Sequence, residues 1–507
     1  MLRRRVLAGL PVSALLASPA LRAARAQSVS RVALLHLNDF HSRHEPIAAS
    51  GATCRPGETC FGGSARIATA IAQAREAARA DQRPALLLEA GDSFMGSLFF
   101  SHHEGLAEAA VQRAWGVQGF ALGNHEFDRG PAVLARYIEA AGFPVLCANL
   151  DATAEPALAG RVLPTVTFRN GPARLVVVGL VTTDTPVISS PGDNLRFTDP
   201  AEAAERAVWA ARREGPATVV LLSHLGFAED ERLAARVPGV DAIIGGHSHL
   251  RIAPPRLVDG PDRPVLIVQA GAFGRFLGRL DLDLAADGMV LHHAQAMAEL
   301  DATLAEDAAV AAIVAEYAGP LEAVRRAVVG RLPEAFTLEG CREQPCAMGN
   351  FVAEAMRRAA GAEIGWMNGG GLRAGLPAGD VSRGDTLTAF PFGNTLARLT
   401  LRGDALRAAL ENGLSRLPEP NGRFPQLAGL RFRADASRPV GERAVEVEVE
   451  EAPGEWRPLD PARAYRIATN NFLRRGGDGY ADFAERALEA VDDGPLLEEV
   501  VVRALGG

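Results

Sequence analysis

The chain has 507 residues, of which 48% are hydrophobic and 22% charged, and its formal net charge is −8. This length exceeds what one hydrophobic core supports, so we expect two sizeable domains, and the composition excludes a disordered or fibrous protein. The acidic balance also argues against a binder of nucleic-acid polymers, because such a protein needs a basic face.

The first 26 residues have the layout of a secretory signal. Three consecutive arginines precede an apolar stretch from Val6 to Leu21, and Ala-Arg-Ala ends at Ala26. We therefore expect cleavage after Ala26 and export to the periplasm or the medium, and the arginines loosely fit a twin-arginine signal. No later stretch is apolar for long enough to span a bilayer, and the C-terminal residues do not read as a lipid-anchor signal, so we expect no stable membrane anchor.

Short apolar runs alternate with helix-like segments from Arg31 to about Leu284. Several runs are apolar without alternation, as expected for strands that are covered on both faces. The runs are RVALLHLND, PALLLEAGD, QGFALGN, PVLCANL, RLVVVGLVT, TVVLLSH, VDAIIGGHSH and PVLIVQAG. Between them, GGSARIATAIAQAREAARA and DPAEAAERAVWAARREG carry apolar residues at helical spacing. This pattern predicts a layered α/β domain over residues 27–304.

Five of these runs end in side chains that bind metal ions, at the strand ends where function gathers in open α/β sheets. The seven candidate ligands are Asp39, His41, Asp92, Asn124, His224, His247 and His249. One such histidine alone would more often be a hydrogen-bonded core or loop residue, but five coincident strand ends favour a metal site. The residues before Asp92, Asn124 and His247 are glycines, which let backbone pass close to a ligand.

Seven ligands are too many for one tetrahedral ion, so the sequence predicts two divalent ions. If Asp92 bridges them, each ion keeps about four protein ligands, and the ions lie ~3.5–4 Å apart with room for a shared hydroxide. Two such ions leave a surplus of positive charge over Asp39 and Asp92, which suits a phosphate substrate. Nitrogen and oxygen donors without thiolate fit zinc, manganese, cobalt or iron, so ligand type does not identify the metal.

The five cysteines fall into two close pairs and one single residue. Cys54 and Cys60 lie in GATCRPGETCFGG, and Cys341 and Cys346 lie in EGCREQPCAMGN. Export makes disulfides permissible, so each pair predicts a short disulfide-closed loop; zinc half-sites are the alternative. Cys147, in an apolar run, is predicted to be a buried free thiol.

Residues 305–328 read as a linker helix that is broken near Gly319-Pro320, and a glycine-rich half follows. MNGGGLRAGLPAGDVSRGDTLTAFPFGNTL lacks the ending of a Walker loop, and a lone GGDG in NNFLRRGGDGYADF is a weak signal. From the residue types alone, we expect these stretches to be clusters of turns, and we expect Phe392 and Phe472 to be core residues.

Taken together, the two halves resemble the 5'-nucleotidase family. The motifs of the dinuclear metallophosphoesterase domain are LNDFH, Gly91-Asp92, GNHEFD, Ser223-His224 and GGHSH, and residues 329–507 resemble the family's C-terminal domain. The resemblance covers nearly all of the mature chain, and the two cysteine loops are most similar to those of the ecto-5'-nucleotidase branch. It implies a four-layer domain, with two β-sheets flanked by helices, that is joined by the linker helix to a smaller α/β nucleotide-binding domain. It also implies a hinge between the domains at residues 317–326.

The resemblance implies roles for individual residues. His125 would face the substrate without binding metal and pair with Asp128, while Glu126 and Phe127 would be structural. Phe392 and Phe472 would stack on the nucleobase, and Asp478 would accept hydrogen bonds from the ribose hydroxyls. The phosphate would be held by residues of the C-terminal domain, Arg342, Asn368 and Arg373, with Gly370 in the same loop.

The implied reaction is removal of phosphate from nucleoside 5'-monophosphates, with di- and triphosphates or UDP-sugars as further substrates, by in-line attack of a metal-bound hydroxide. The alternatives on this scaffold are a 2',3'-cyclic-nucleotide phosphodiesterase/3'-nucleotidase and a thiosulfohydrolase. A nucleotide-binding protein without catalysis is an alternative of another class. The sequence does not indicate an oligomeric state.

Two features depart from the family pattern. His249 stands where relatives carry glutamine or asparagine, and Arg474 and Arg475 stand where relatives often have small or neutral residues. We expect these arginines to lie close to the base pocket and to favour an extra phosphate or a sugar diphosphate.

Overall fold

The structure is a computed structural model that describes residues 30–48, 54, 57–170, 173–491 and 494–506. The predicted signal peptide, residues 1–26, lies outside the described residues. The strands of the N-terminal half are β1 (Ser30–Leu37), β2 (Ala85–Glu89), β3 (Gly119–Ala121), β4 (Val145–Leu146), β5 (Leu150–Asp151), β6 (Thr165–Asn170), β7 (Ala173–Val181), β8 (Arg196–Phe197), β9 (Thr218–His224), β10 (Ala242–Gly245), β11 (Arg251–Asp259), β12 (Pro264–Ala270), β13 (Phe276–Leu284) and β14 (Val290–Glu299).

Helices alternate with these strands as predicted. They are α1 (Ser64–Ala80), α2 (Leu98–His103), α3 (Leu106–Trp115), α4 (Gly130–Ala141), α5 (Thr185–Ile188), α6 (Pro200–Arg213) and α7 (Phe227–Arg236). All eight apolar runs contain strands, and both helix-like segments are helices. The strands β6, β8, β11, β13 and β14 were not predicted. β11 and β14 lie at sheet edges and are largely exposed, so their sequences lack a continuous apolar run.

Two six-stranded sheets pack face to face in the described part of this half. Their strand orders are β14-β13-β1-β2-β3-β4 and β11-β12-β10-β9-β7-β6. Along β1, Val32 and Leu34 pack between the sheets, whereas Leu35 and Leu37 pack on the opposite face with residues of α1, α3 and α4. The outer face of the second sheet packs against α6 and α7. This helix–sheet–sheet–helix arrangement confirms the predicted four layers.

The linker and the C-terminal half follow β14. The linker helices are α8 (Ala308–Ala318) and α9 (Glu322–Arg325), separated by a 3₁₀ turn (Gly319–Leu321), which confirms the predicted break. Ala318 and Leu321 pack against Leu98 and Phe99 of α2. Since the strand after the linker begins at Val328, the predicted segment 305–328 includes its first residue, and the domain limits stay a prediction.

The C-terminal half is a smaller α/β unit, as predicted. Its strands are β15 (Val328–Leu332), β16 (Ile364–Asn368), β17 (Gly379–Ser382), β18 (Leu396–Arg402), β19 (Pro425–Ala428), β20 (Leu430–Ala434), β21 (Ala444–Ala452), β22 (Glu455–Pro458), β23 (Ala464–Asn470) and β24 (Glu489–Val491). Its helices are α10 (Ala347–Ala360), α11 (Arg383–Ala389), α12 (Gly403–Leu414), α13 (Asn471–Arg474), α14 (Ala481–Glu485) and α15 (Leu497–Leu505). A central sheet has the order β19-β16-β23-β18-β24.

The cysteines are arranged as predicted. Disulfides join Cys54 to Cys60 and Cys341 to Cys346, with Cα–Cα distances of 5.7 and 5.1 Å. Cys147 is a buried free thiol, and burial raises its pKa to about 12. Among the helices of the described residues, none has both the length and the apolar character needed to cross a membrane.

Candidate active site

The seven predicted ligands converge at the carboxyl ends of neighbouring strands. Two follow β1, one follows β2, one follows β3, one ends β9 and two follow β10. Parallel pairing of β1 with β2, of β2 with β3, and of β9 with β10 brings these ends to one edge of the sandwich. Most of the side chains are buried, and His247 and His249 are half-buried.

Much of the ligand backbone is in the left-handed region. The φ angles are 50° at Asp39, 52° at His41, 56° at Asp92, 69° at His247 and 59° at His249. Non-glycine residues rarely adopt this conformation, and where they do so at functional sites the surrounding fold has to enforce it. No pattern in the sequence indicates this strain.

The glycines before three ligands allow close packing, as predicted. A side chain on Gly123 would overlap the Asp92 carboxylate, and a Cβ on Gly246 would lie 2.8 Å from His224 Nδ1. Gly91 has φ +82°, and its Cβ would lie 2.9 Å from the same nitrogen. Each position therefore requires glycine for steric reasons.

The potential ligand atoms form two main groups, joined by a third that contains His41, Asp92 and His125, and in each group the atoms lie within 4.8 Å of one another. In the first group, His249 Nε2 is 3.2 Å from Asp39 Oδ1 and 3.1 Å from His41 Nε2. The second group contains Asp92, His224 and His247. His41 Nε2 is 3.9 Å from both Asp39 Oδ1 and Asp92 Oδ2, so the two groups adjoin each other at Asp92.

Two unsatisfied buried atoms fit a cation at this site. Asn124 Oδ1 is buried without a hydrogen-bond partner among the described residues. His224 Nδ1 lies 2.7 Å from the Ala90 carbonyl and must donate to it, which leaves the Nε2 lone pair 3.0 Å from Asp92 Oδ2. A lone pair and a carboxylate oxygen repel each other unless positive charge lies between them. Burial lowers the pKa of His224, but the charges of Asp92 and Asp39 raise it to about 10, so positive charge is stabilised here, either on the imidazole itself or on a cation.

His125 and Asp128 form a hydrogen-bonded pair beside the ligands. His125 Nδ1 lies 2.6 Å from Asp128 Oδ2, and the other Asp128 oxygen accepts a 2.6 Å hydrogen bond from Ser189 Oγ. Burial lowers the pKa of His125, but Asp128 and Asp92 outweigh it, so the net pKa is raised. Sequence reasoning missed Ser189, since a serine in a loop after α5 carries no motif.

Glu126 has the structural role expected for it. Its carboxylate accepts hydrogen bonds from the backbone N–H groups of Asp92 (2.9 Å), Ser93 (2.8 Å), Phe94 (3.1 Å) and Gly123 (2.7 Å). These bonds tie the loop after β2 to the loop after β3. Phe127 is buried in the core, also as expected.

The ligand groups face a cleft of about 690 Å³ between the two halves of the chain. Every substrate residue predicted in the C-terminal half lines this cleft, namely Arg342, Asn368, Gly370, Arg373, Phe392, Phe472 and Asp478. The metal-ligand candidates in the lining are Asp92, Asn124, His247 and His249, and they are joined there by His125 and Asp128. The structure thus brings the two predicted sets of residues together.

Specific contacts connect the C-terminal wall to the ligands. Arg373 Nη2 lies 2.9 Å from His41 Nε2, and the Phe392 ring centroid lies 5.7 Å from that of His125. Asn368 Nδ2 donates a 2.6 Å hydrogen bond to Asp478 Oδ2. Burial raises the pKa of Asp478, against the effect of this hydrogen bond.

Two glycines give this wall its shape. A Cβ on Gly370 would lie 2.9 Å from the Gly422 backbone, and a Cβ on Gly477 would lie 2.6 Å from the Phe472 ring. The Phe472 ring therefore rests directly on the GGDG segment, which explains the glycine content that the sequence left as a turn cluster.

Neither Arg474 nor Arg475 lines the cleft, and their effect on substrate choice stays a prediction. Arg474 Nη1 donates a hydrogen bond to the Phe483 carbonyl, and Arg475 is exposed. The cleft is lined by four arginines that sequence reasoning missed, Arg232, Arg236, Arg416 and Arg423. Isolated arginines in a chain with 53 basic residues carry no signal in the sequence.

Comparisons with known proteins agree with this architecture. Residues 32–251 match the family model described as calcineurin-like phosphoesterase, and residues 328–485 match that of the 5'-nucleotidase C-terminal domain. The chain is 32% identical over 485 residues to a 5'-nucleotidase of Diplobatis ommata, an alignment that covers 89% of this chain and 83% of the relative. It is 35% identical over 449 residues to the trifunctional nucleotide phosphoesterase protein YfkN of Bacillus subtilis, covering 80% of this chain but only 30% of that protein's length.

A solved structure also matches. The 5'-nucleotidase precursor of Thermus thermophilus superposes with a TM-score of 0.87 at 36% identity, covering 94% of this chain and 96% of the other. Fold and site thus define a phosphohydrolase on the metallophosphoesterase scaffold. The chain belongs to the 5'-nucleotidase family, which confirms the resemblance seen in its motifs.

Proposed function

We propose that this protein is exported and removes phosphate from nucleoside 5'-monophosphates with the help of two divalent metal ions. The observation that carries the proposal is the cleft itself, where two groups of metal-ligand side chains face a wall of phosphate-, ribose- and base-binding candidates. Names of relatives such as 5'-nucleotidase support the same substrate class. The proposed domain limits are 27–304 for the catalytic domain, 305–328 for the linker and 329–507 for the substrate-binding domain.

The residues present would hold two ions that share Asp92. We assign Asp39, His41 and His249 to one ion, and Asn124, His224 and His247 to the other. Zinc, manganese, cobalt and iron all suit these donors. Bound divalent ions supply Lewis-acid charge and lower the pKa of a bound water.

The chain's own residues would position the substrate and stabilise charge. Arg342 and Arg373 would bind phosphate oxygens, since a guanidinium can donate two parallel hydrogen bonds. His125, held by Asp128 through Nδ1, would direct Nε2 at the transferring phosphoryl group and stabilise its charge. Water adds to phosphorus, the bond from phosphorus to the ribose 5' oxygen breaks, and that oxygen leaves with a proton.

The rest of the nucleotide would be bound by the C-terminal domain. Phe392 and Phe472 would stack on the base, which is worth ~1–3 kcal/mol per base and tolerates any base. Asp478, fixed by Asn368, would accept hydrogen bonds from the ribose hydroxyls. Gly370 lets the loop that carries Asn368 and Arg373 pack against the backbone of Gly422.

A substrate panel tests the proposal. Purified protein is supplied with manganese, zinc or cobalt in turn, and phosphate release is measured from AMP, 3'-AMP, 2',3'-cyclic AMP and UDP-glucose. We expect the highest kcat/KM on AMP. Preferred turnover of 3'-AMP or the cyclic nucleotide would contradict the 5' assignment, and no turnover with any metal would contradict catalysis.

Export is tested separately. Cell fractionation followed by N-terminal sequencing should find a protein that begins at Gln27 in the periplasm or the medium. A cytoplasmic protein that retains Met1 would contradict this part of the proposal.

A further inference from the structure

Arg416 and Arg423 lie on the C-terminal wall of the cleft, and the proposed function gives neither a role. Arg423 Nη1 lies 3.4 Å from Asn412 Oδ1 and 3.3 Å from Ser415 Oγ. Its Nε is buried and has no hydrogen-bond partner within the described ranges. The hydrogen bonds of the Arg423 guanidinium thus go to neutral groups, and part of its donor capacity is unused.

Arg423 lies beside Asp478, the candidate ribose-binding carboxylate. Asn412 connects the two residues, since its Nδ2 donates a 3.1 Å hydrogen bond to the Asp478 carbonyl while its Oδ1 faces Arg423. A Cβ on Gly479 would lie 3.7 Å from Arg423 Nη1. A ribose bound to Asp478 would therefore have Arg423 as a neighbour.

Apart from Asp478, which interacts electrostatically with Arg423, the positive charge of the two arginines is weakly compensated. Asp184 Oδ2, from the N-terminal half, lies 3.7 Å from Arg416 Nη2 and 4.0 Å from Arg423 Nη2. These distances exceed the roughly 2.7–2.9 Å that is typical of a charge-assisted hydrogen bond. Glu419 also lines the cleft, but no ion pair joins it to either arginine in the part of the chain that the structure describes. The two guanidinium groups can accept a further anion.

We propose that Arg416 and Arg423 form a second anion site, which takes a phosphate ester on the 2' or 3' oxygen of the ribose. The substrate class would then include nucleosides phosphorylated both at the 5' position and at a secondary hydroxyl. This inference rests on the proposed function, because it needs the ribose to lie at Asp478. The reaction stays at the 5' phosphorus: water adds there, the bond to the 5' oxygen breaks, that oxygen takes a proton, and the secondary phosphate remains on the product.

The test compares AMP with adenosine 3',5'-bisphosphate and adenosine 2',5'-bisphosphate. The metal-supplemented protein should hydrolyse at least one bisphosphate to inorganic phosphate and the corresponding adenosine 3'- or 2'-phosphate. Comparison of the two bisphosphates shows whether the proposed anion site binds a phosphate on the 2' or on the 3' oxygen of the ribose.

Substitutions then locate the site. In Arg416→Gln and in Arg423→Gln, the ratio of kcat/KM for the preferred bisphosphate to that for AMP should fall about tenfold, because a charge-assisted contact is lost. In Asp184→Asn the same ratio should rise, because the competing carboxylate is removed. Arg206→Gln, which alters an exposed arginine of α6, is the matched control and should leave the ratio unchanged. Thermal unfolding of each variant reports whether it is folded.

An unaltered ratio in both arginine variants would overturn the inference. It would also be overturned if Asp184→Asn and Arg416→Gln slowed the hydrolysis of all substrates equally, because Asp184, Arg416 and Arg423 would then act as a contact between domains.

Dissociation constants measured by calorimetry on chelator-treated protein separate this inference from the proposed function. If AMP is not hydrolysed at all, tighter binding of the bisphosphate than of AMP, lost in the arginine variants, would still support the anion site. Equal binding would overturn it.

Discussion

Asp92 lies between the two groups of proposed ligands and contacts the catalytic candidate His125 and the proposed ligand His224. Its Oδ1 accepts a 2.9 Å hydrogen bond from the His125 backbone N–H, while Oδ2 lies 3.0 Å from His224 Nε2. Burial raises the pKa of Asp92, but His224 and His125 lower it well below the usual value, so it is a carboxylate. Replacing Asp92 with a neutral residue would remove the negative charge that faces both proposed cations.

We expect Asp92→Asn to lose most bound metal and at least ~10²-fold in kcat, since the amide cannot bridge two cations by charge. Metal content is measured by elemental analysis of dialysed protein, and kcat with AMP. Asp193→Asn, at an exposed loop position, is the matched control. Full metal content in Asp92→Asn would show that this residue is not a ligand.

We expect His125→Ala to lower kcat by about 10²–10³-fold with metal content retained, because it would remove one preorganised group that stabilises the transition state. The comparison of kcat with elemental analysis separates this role from that of a ligand. His292→Ala, on the exposed edge strand β14, is the control. Loss of metal along with His125 would contradict the assignment of His125 as unliganded.

Between elements, a buried polar network supports the loop that carries Asp92. Glu89, at the end of β2, accepts hydrogen bonds from Ser93 Oγ (2.5 Å) and from Gln112 Nε2 of α3 (2.8 Å). Tyr137 OH of α4 donates a 2.6 Å hydrogen bond to Gln112 Oε1. The network thus joins a strand and two helices directly beneath the ligand loop.

We expect this network to make the stability of the protein depend on pH. Burial raises the pKa of Glu89 to about 7 from an ordinary value of 4.5. The folded state therefore binds the Glu89 proton more tightly than the unfolded state does. The contribution of protonated Glu89 to the free energy of unfolding is fully present below pH 4.5 and is lost as pH rises through 7. In Glu89→Gln this part of the dependence should vanish, about 3 kcal/mol across the window.

The measurement is the free energy of unfolding of chelator-treated protein between pH 4 and pH 8, for wild type and variant. Glu485→Gln, at an exposed position, is the control. Parallel curves for wild type and Glu89→Gln would show that Glu89 titrates normally.

Across the whole molecule, contacts between the two halves lie close to the ligand loops and the linker. Arg43 Nη2 donates a 2.6 Å hydrogen bond to the Arg373 carbonyl, and Arg325 of α9 forms a 2.5 Å ion pair with Glu45. Arg43 and Glu45 follow the loop that bears His41. The position of the C-terminal wall is thus coupled to the metal-ligand loop.

If the domains rotate about residues 317–326, weakening these contacts should disfavour the closed cleft. We expect Arg325→Ala and Glu45→Ala each to raise KM for AMP about 2–5-fold, and the double variant to raise it no further, because a partly buried ion pair is worth roughly 1 kcal/mol. The double-mutant cycle, with small-angle scattering of each variant, measures the effect. The exposed pair Arg79 and Glu76 of α1 is the control, and additive effects would contradict the coupling.

The buried strands and the residues at their ends were predictable because each signal is local. An unbroken apolar run indicates a strand that is buried on both faces. A metal-binding side chain directly after such a run therefore lies at the edge of the sheet where the strand ends. Features that depend on distant residues were not predictable, such as the hydrogen bond from Ser189 to Asp128 and the approach of Arg423 to Asp478. The edge strands β11 and β14 were missed because their exposed faces break the apolar pattern.

The left-handed backbone at Asp39, His41, Asp92, His247 and His249 has a practical consequence for engineering. Glycine adopts this conformation without steric cost, so glycine substitutions there would relieve strain while removing the proposed metal ligands. A library of variants that is screened for thermal stability alone should therefore be enriched in such substitutions, and the selected variants would be thermostable but inactive. Screens of this protein should keep those five codons fixed, or select on turnover after heating.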